Sequence, residues 1–209
     1  CLEVLLKSNE QHEEFNLLDR RYVLPEPIRS YGGQSDDFRR EMAIRIIEEE
    51  LIEDENTESA MLIYYLAGFG FNRNRQTELS HAQYRRTIEI AHRLNQTSTL
   101  SFNGRALALK AATMMCFPDQ LLGKHADVIE VLLPVWEEFR WFPGDAEMNF
   151  KIWDDSARST MMVYQSLLEL GRIEDAWEAF EVYMTILENG SRFFLPPANK
   201  QRINTVGNQ

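Results

Sequence analysis

Cysteine is almost missing from this 209-residue chain, which has only Cys1 and Cys116 and no CxxC pair. That excludes a disulfide-stapled scaffold and the usual zinc or thiol-redox spacings, and leaves Cys116 as a small core residue. Long apolar runs are missing too. None approaches the roughly 18–20 residues that a membrane-spanning helix needs, so the chain reads as soluble with no membrane insertion. Histidine is scarce: His81 and His92 stand eleven residues apart, about 16 Å along a helix axis, too far to share a metal. His12-Glu13-Glu14 has no second His four positions on, as a zinc-protease helix would. No GxSxG surrounds a serine, and Gly68-Phe69-Gly70 lacks the later Gly and the Lys-Ser or Lys-Thr pair of a phosphate loop. The adjacent carboxylates Glu137-Glu138 and Asp154-Asp155 read as solvated faces. The expectation is a protein that is not an enzyme, with no cofactor and no metal site.

Charge is present in excess of one sign and is unevenly placed. The net charge is −11, yet from Ser35 to Glu58 ten acidic residues face only Arg39, Arg40 and Arg45, whereas from Phe71 to Asn95 five arginines outnumber Glu78 and Glu89. An acidic total argues against phosphate-backbone binding, so DNA is excluded and RNA disfavoured. The basic strip, with Arg73, Arg75, Arg85 and Arg86, is a candidate contact surface. It is also a candidate partner for the acidic run Glu48 to Glu55 within the same chain.

Periodicity points to helices. Residues 1–34 read as a polar-centred helix followed by a connector with Pro25, Pro27 and Gly32-Gly33. A helix follows with Ser35 as N-cap and Phe38, Met42, Ile46 and Ile47 inward. Three helix pairs come next. Ser59–Ala67 and Leu79–Leu94 are joined by a Gly- and Arg-rich loop over 68–76. Gly104–Met115 and Ala126–Phe139 are joined by a loop over 117–123 that holds Pro118. Pro134 is expected to kink or split the second of these, because it removes a hydrogen bond. The last pair lies within 164–190, preceded by Ile152 and Trp153 and capped near Asp154 or Asp155. The second helices begin near residues 80, 126 and 172, an interval of about 46, in the range of HEAT-like pairs. Residues 35–190 thus form a helical-repeat domain, and 191–209 an extended C-terminal tail whose aromatic start packs on the last helix.

The most regular pair is YQSLLELGRIEDAWEAFEVYMTILENG, residues 164–190. Met161, Tyr164, Leu167 and Leu168 form one stripe, and Gly171 sits where the first helix must reverse. Ile173, Ala176, Trp177, Phe180, Tyr183, Met184 and Leu187 share a face expected to be buried, with Trp177 and Phe180 holding the core. The run from Gly171 to Phe180, a Gly turn followed by Ala176 and then the aromatic Phe180, resembles the hairpin core of tetratricopeptide and pentatricopeptide repeats over about one repeat of roughly 34 residues. The pattern departs from the first at Tyr164, where a small residue is usual, and in lacking a closing Pro. The resemblance implies an all-α fold: an irregular right-handed solenoid of antiparallel helix hairpins, similar to tetratricopeptide, pentatricopeptide or HEAT arrays.

Such a solenoid presents an extended surface to other chains. The preferred reading is a noncatalytic scaffold or adaptor that binds protein partners as a subunit or assembly factor of a larger complex. Its candidate contact residues are Arg73, Arg75, Arg85 and Arg86 of the basic strip, Arg140, Trp141 and Phe142 of the aromatic stretch 136–153, and Phe193 and Phe194 of the tail. The alternative implied by the resemblance is an organellar pentatricopeptide-like RNA-binding factor, reading bases with side chains of successive repeats. A start at Cys1 in place of Met is compatible with a removed mitochondrial leader, with a lipidated cysteine or with an absent upstream segment; an intracellular setting is favoured.

Overall fold

A computed structural model describes residues 33–52, 54–140 and 150–190. Among these the chain is all-α, with seven helices: α1 Gly33–Glu48, α2 Glu58–Arg73, α3 Thr77–Gln96, α4 Phe102–Leu121, α5 His125–Phe139, α6 Phe150–Glu169 and α7 Ile173–Gly190. Each packs on its chain neighbour in the pairs α1/α2, α2/α3, α3/α4, α4/α5, α5/α6 and α6/α7. Beyond that, α2 packs on α4 and α4 on α6, whereas α3 approaches α5 less closely and meets it through side chains, with His92 Nδ1 2.6 Å and Asn95 Nδ2 3.0 Å from the Glu138 carboxylate.

The turns repeat. Arg75, Gly123 and Gly171 all adopt left-handed backbone, with φ of 60°, 70° and 70°. They stand at intervals of 48 residues, and so do the bonds around them. Gln76 N donates to Phe71 O, Lys124 N to Asp119 O and Arg172 N to Leu167 O, each at 2.9 Å. Arg75 N donates to Asn72 O, Gly123 N to Gln120 O and Gly171 N to Leu168 O, at 3.0, 3.1 and 3.0 Å. This pair of bonds is the Schellman closure, which satisfies the last carbonyls of a helix by reversing the chain through one left-handed residue. The outgoing helices then open in step, through Ser80 N to Gln76 O, Val128 N to Lys124 O and Ala176 N to Arg172 O. A second turn series shows the same spacing: Glu50 and Ser98 have φ of 53° and 55°, closed by Leu51 N to Ile46 O and Thr99 N to Leu94 O. The interval expected near 46 is 48, and it is regular in the turns although side-chain identity is lost.

Several expected boundaries move. Gly68 and Gly70 lie inside α2, not in a loop, because they serve packing. A Cβ on Gly68 would stand 2.8 Å from the Tyr84 ring, and one on Gly70 would stand 2.8 Å from Ile44. Phe117 and Pro118 belong to the last turn of α4, and α5 runs through Pro134 as one helix, with the Pro side exposed. Asp154 and Asp155 lie within α6, so neither caps it.

The core is continuous through the pairs: Tyr84, Ile90, Leu107, Leu109, Leu132, Phe139, Ile152, Leu167 and Ile186 are fully buried. Trp136 and Trp153 are buried as well, and each indole N–H has an acceptor, Thr160 Oγ1 at 3.0 Å and Ile186 O at 2.8 Å. The α7 stripe differs from expectation. Ala176, Ala179 and Ile186 form its buried side, while Trp177 is 61% exposed and Ile173 59%. A helix packed on one neighbour buries only the side that meets it, and the aromatic edge of α7 lies about a quarter-turn away. Leu168 of the preceding stripe is likewise exposed.

Candidate partner-binding surfaces

The basic strip is built on α3, whose buried residues Tyr84, Thr87, Ile88 and Ala91 turn the arginines outward. Two of its members are engaged with acidic residues from earlier in the chain. Arg86 pairs with Glu55 and, at 2.9 Å, with Glu89; Arg73 pairs with Asp37. Arg93 donates to Asn56 Oδ1 at 2.9 Å. The acidic run therefore meets part of the basic strip, with Glu55 as the main joint. Tyr64 Oη donates to Glu55 at 2.6 Å, and this bond followed by Arg86 holds the Glu55 carboxyl below its ordinary range. Arg75 and Arg85 are exposed. Burial and then Arg85 lower the pKa of His81, favouring its neutral form.

Arg140 follows α5. Its guanidinium stacks over the Trp136 ring at 4.6 Å and pairs with Glu178 of α7 at 2.6 Å. Arg105 donates to its carbonyl at 2.6 Å. Arg140 thus joins the second helices of two successive pairs at one end. Of the aromatic stretch, Trp136, Phe139 and Trp153 are core residues. Trp141 and Phe142, like Phe193 and Phe194, lie outside the described residues.

A polar row crosses the first helices. Lys110 of α4 bonds both carboxylate oxygens of Asp155 of α6, at 2.8 and 2.9 Å, and lies 5.9 Å from the Tyr65 ring of α2. Asp155 is buried, and Lys110 keeps 23% of its side chain exposed. A second network links hairpin ends: His125 to Ser166 at 3.2 Å, Ser166 to Gln120 at 2.8 Å, and Gln120 to Gln165 at 3.3 Å. Cys116, buried beside the Val128 carbonyl, has its thiol pushed up to about 12 by burial. Such a thiol is a packing group, not a nucleophile. Among the described residues, no three His, Cys, Asp or Glu converge as a metal site would require, and no helix is long and apolar enough to cross a membrane.

Sequence reasoning missed the apolar residues at the hairpin tips. Phe117, Leu121 and Leu122 are 50, 71 and 70% exposed at the end of α4. Leu168, Leu170, Ile173 and Trp177 are exposed around the next tip. The available signal was Leu121-Leu122 placed directly before a turn glycine, where one face of the helix has run out of neighbours. The chain matches no known family, no curated protein and no solved structure.

Proposed function

We propose that this chain is a noncatalytic helical-repeat scaffold that binds other protein chains as a subunit or assembly factor of a larger complex. The observation that carries the reading is the 48-residue register of the turns at Arg75, Gly123 and Gly171. Identical closures set each helix pair on the next in the same way, which is how a stacked array extends a surface by repetition. Close packing among α2, α4 and α6, without an equivalent among α3, α5 and α7, supports a curved stack of the tetratricopeptide or HEAT kind with the first helices inside. The exposed apolar tips add contact area beyond what a closed fold needs.

The pentatricopeptide-like RNA reading draws less support. Arg73 and Arg86, two of the cations it would bring to phosphates, are paired with Asp37 and Glu55. The test separates charge from fold. Arg85→Glu combined with Arg75→Glu alters only exposed side chains and is expected to weaken recovery of a native protein partner while leaving the melting temperature within a few degrees. An unchanged partner yield removes the basic strip from the account, and salt-sensitive RNA binding lost in this variant would favour the alternative.

A further inference from the structure

The repeat register holds at five of the six ends of the first helices and fails at the sixth. α2, α4 and α6 end at Arg73, Leu121 and Glu169, 48 residues apart, and α4 and α6 begin at Phe102 and Phe150, again 48 apart. By that count α2 would begin at Asp54, yet it begins at Glu58. One helical turn, residues 54–57, is unwound. The caps define the boundary: Thr57 is extended, with φ −133° and ψ 152°, and its Oγ1 accepts from Ala60 N at 3.1 Å. Arg105, the counterpart of Thr57, lies inside α4, whose cap is Ser101. The sequence supplies one reason. Ser101 corresponds by number to Glu53, and serine is a preferred cap whereas glutamate is not.

The unwound turn is tied to α3. Glu55 pairs with Arg86 and accepts from Tyr64 Oη at 2.6 Å, and Asn56 Oδ1 accepts from Arg93 Nε at 2.9 Å. Those contacts occupy two arginines of the basic strip. Immediately beyond, Ser101 Oγ donates to the Glu58 carboxylate at 2.7 Å, so α2 is fixed from Glu58 onward. Opposing contributions meet in 54–57. Winding them extends an existing helix and needs no new nucleus, and it brings Asp54 and Glu55 into a first turn, where carboxylates are favoured. Against winding stand the Thr57 cap and the bonds of Glu55 and Asn56 to α3 and Tyr64.

We infer that residues 54–57 are a one-turn switch that masks the basic strip. Unwound, they hold Arg86 and Arg93; wound into α2, they release both arginines, beside the exposed Arg85, to the carboxylates of a partner protein's acidic segment. Glu89, on α3 itself and 2.9 Å from Arg86, stays with it in either state. An acidic segment that takes the two guanidinium groups removes what holds the turn open, so binding and winding are coupled. The inference rests on the reading of the basic strip as a contact surface and adds a control over it.

Amide hydrogen exchange and backbone chemical shifts of the full chain read the switch. In the parent chain the amides of Glu58 and Ser59, whose helical acceptors would be the carbonyls of Asp54 and Glu55, are expected to exchange fast. Glu53→Ser with Thr57→Ala moves the cap to its register position, and Arg86→Gln with Arg93→Gln removes the tether. Each pair is expected to slow both amides by roughly tenfold or more and to move the shifts of 54–57 to helical values, with melting curves as the check on folding. Residues 54–57 unwound in both variants would mean that their own sequence fixes the turn, which overturns the proposal; so does a parent chain in which they are already wound. The ligand probe is a hexaglutamate peptide. It is expected to slow the same amides in the parent chain and to bind the cap-shifted variant at least about threefold more tightly, because the competent state is already populated there. No binding, or binding that leaves the turn unwound, overturns the coupling. A native partner lost on Arg75→Glu with Arg85→Glu, while 54–57 stay unwound in every variant, would leave the scaffold reading standing and the switch refuted.

Discussion

Three residues at equivalent turns give opposite mutational signs. Arg75, Gly123 and Gly171 share left-handed backbone, but only Arg75 carries a Cβ there, a strain of about 1–2 kcal/mol for an L-residue. Arg75→Gly is therefore expected to stabilise the fold by up to about 1 kcal/mol after the added entropy of the unfolded chain, whereas Gly171→Ala should cost about 1 kcal/mol, because the same left-handed strain is introduced. Urea unfolding of both variants reads the two signs, and equal signs would refute the shared turn geometry. Glu55 sets a pH dependence at the same scale. Its folded pKa is lowered by Tyr64 and then by Arg86, so the stability it contributes is complete above its unfolded value of 4.5 and is lost as pH falls through the folded one. Tyr64→Phe should accordingly destabilise more at neutral pH than in acid, where the stability difference from the parent chain narrows. A difference that stays constant from pH 7 to pH 3 would rule out that linkage.

At the scale of elements, helix pairing was legible from apolar spacing, and Gly171 marked its turn because few residues other than Gly suit a left-handed closure. The turn at Arg75 was hidden, since an arginine in that conformation carries no sequence signal. Gly68 and Gly70 misled for the opposite reason: they look like a loop, but the space they leave is filled by Tyr84 and Ile44 from neighbouring helices. The burial of α7 was misread because a stripe at helical spacing shows which residues share a face, not whether a neighbour exists to cover it. α6 shows the reverse. Ser156, Ser159, Thr160 and Ser166 are buried polar residues that hydropathy would turn outward, and Thr160 is there to accept from Trp136. Thr160→Val keeps the shape but leaves the indole N–H without that acceptor, at a cost of about 1–3 kcal/mol. Calorimetry of the variant measures it, and an unchanged melting temperature would show that the bond contributes nothing net.

For the whole molecule, the repeat emerges only when turn geometry replaces sequence identity as the measure. The sequence interval of about 46 came from starts read near 80, 126 and 172, whereas the second helices begin at Thr77, His125 and Ile173 and share the 48-residue spacing of the turns. Of the candidate surface, the arginines were visible as a charge cluster, but their division into paired Arg73 and Arg86 and exposed Arg75 and Arg85 depends on contacts with residues more than thirty positions away. The exposed tips and the aromatic edge of α7 depend on what does not pack, which no local pattern records. These surfaces make the scaffold reading a statement about assembly, so the most direct test is the native mass of the full chain isolated at its natural abundance, with crosslinks mapped by mass spectrometry. A defined complex heavier than the chain alone is expected, with crosslinks from a partner protein to the strip around Arg85 or to α7. A chain recovered as a partner-free monomer would contradict it.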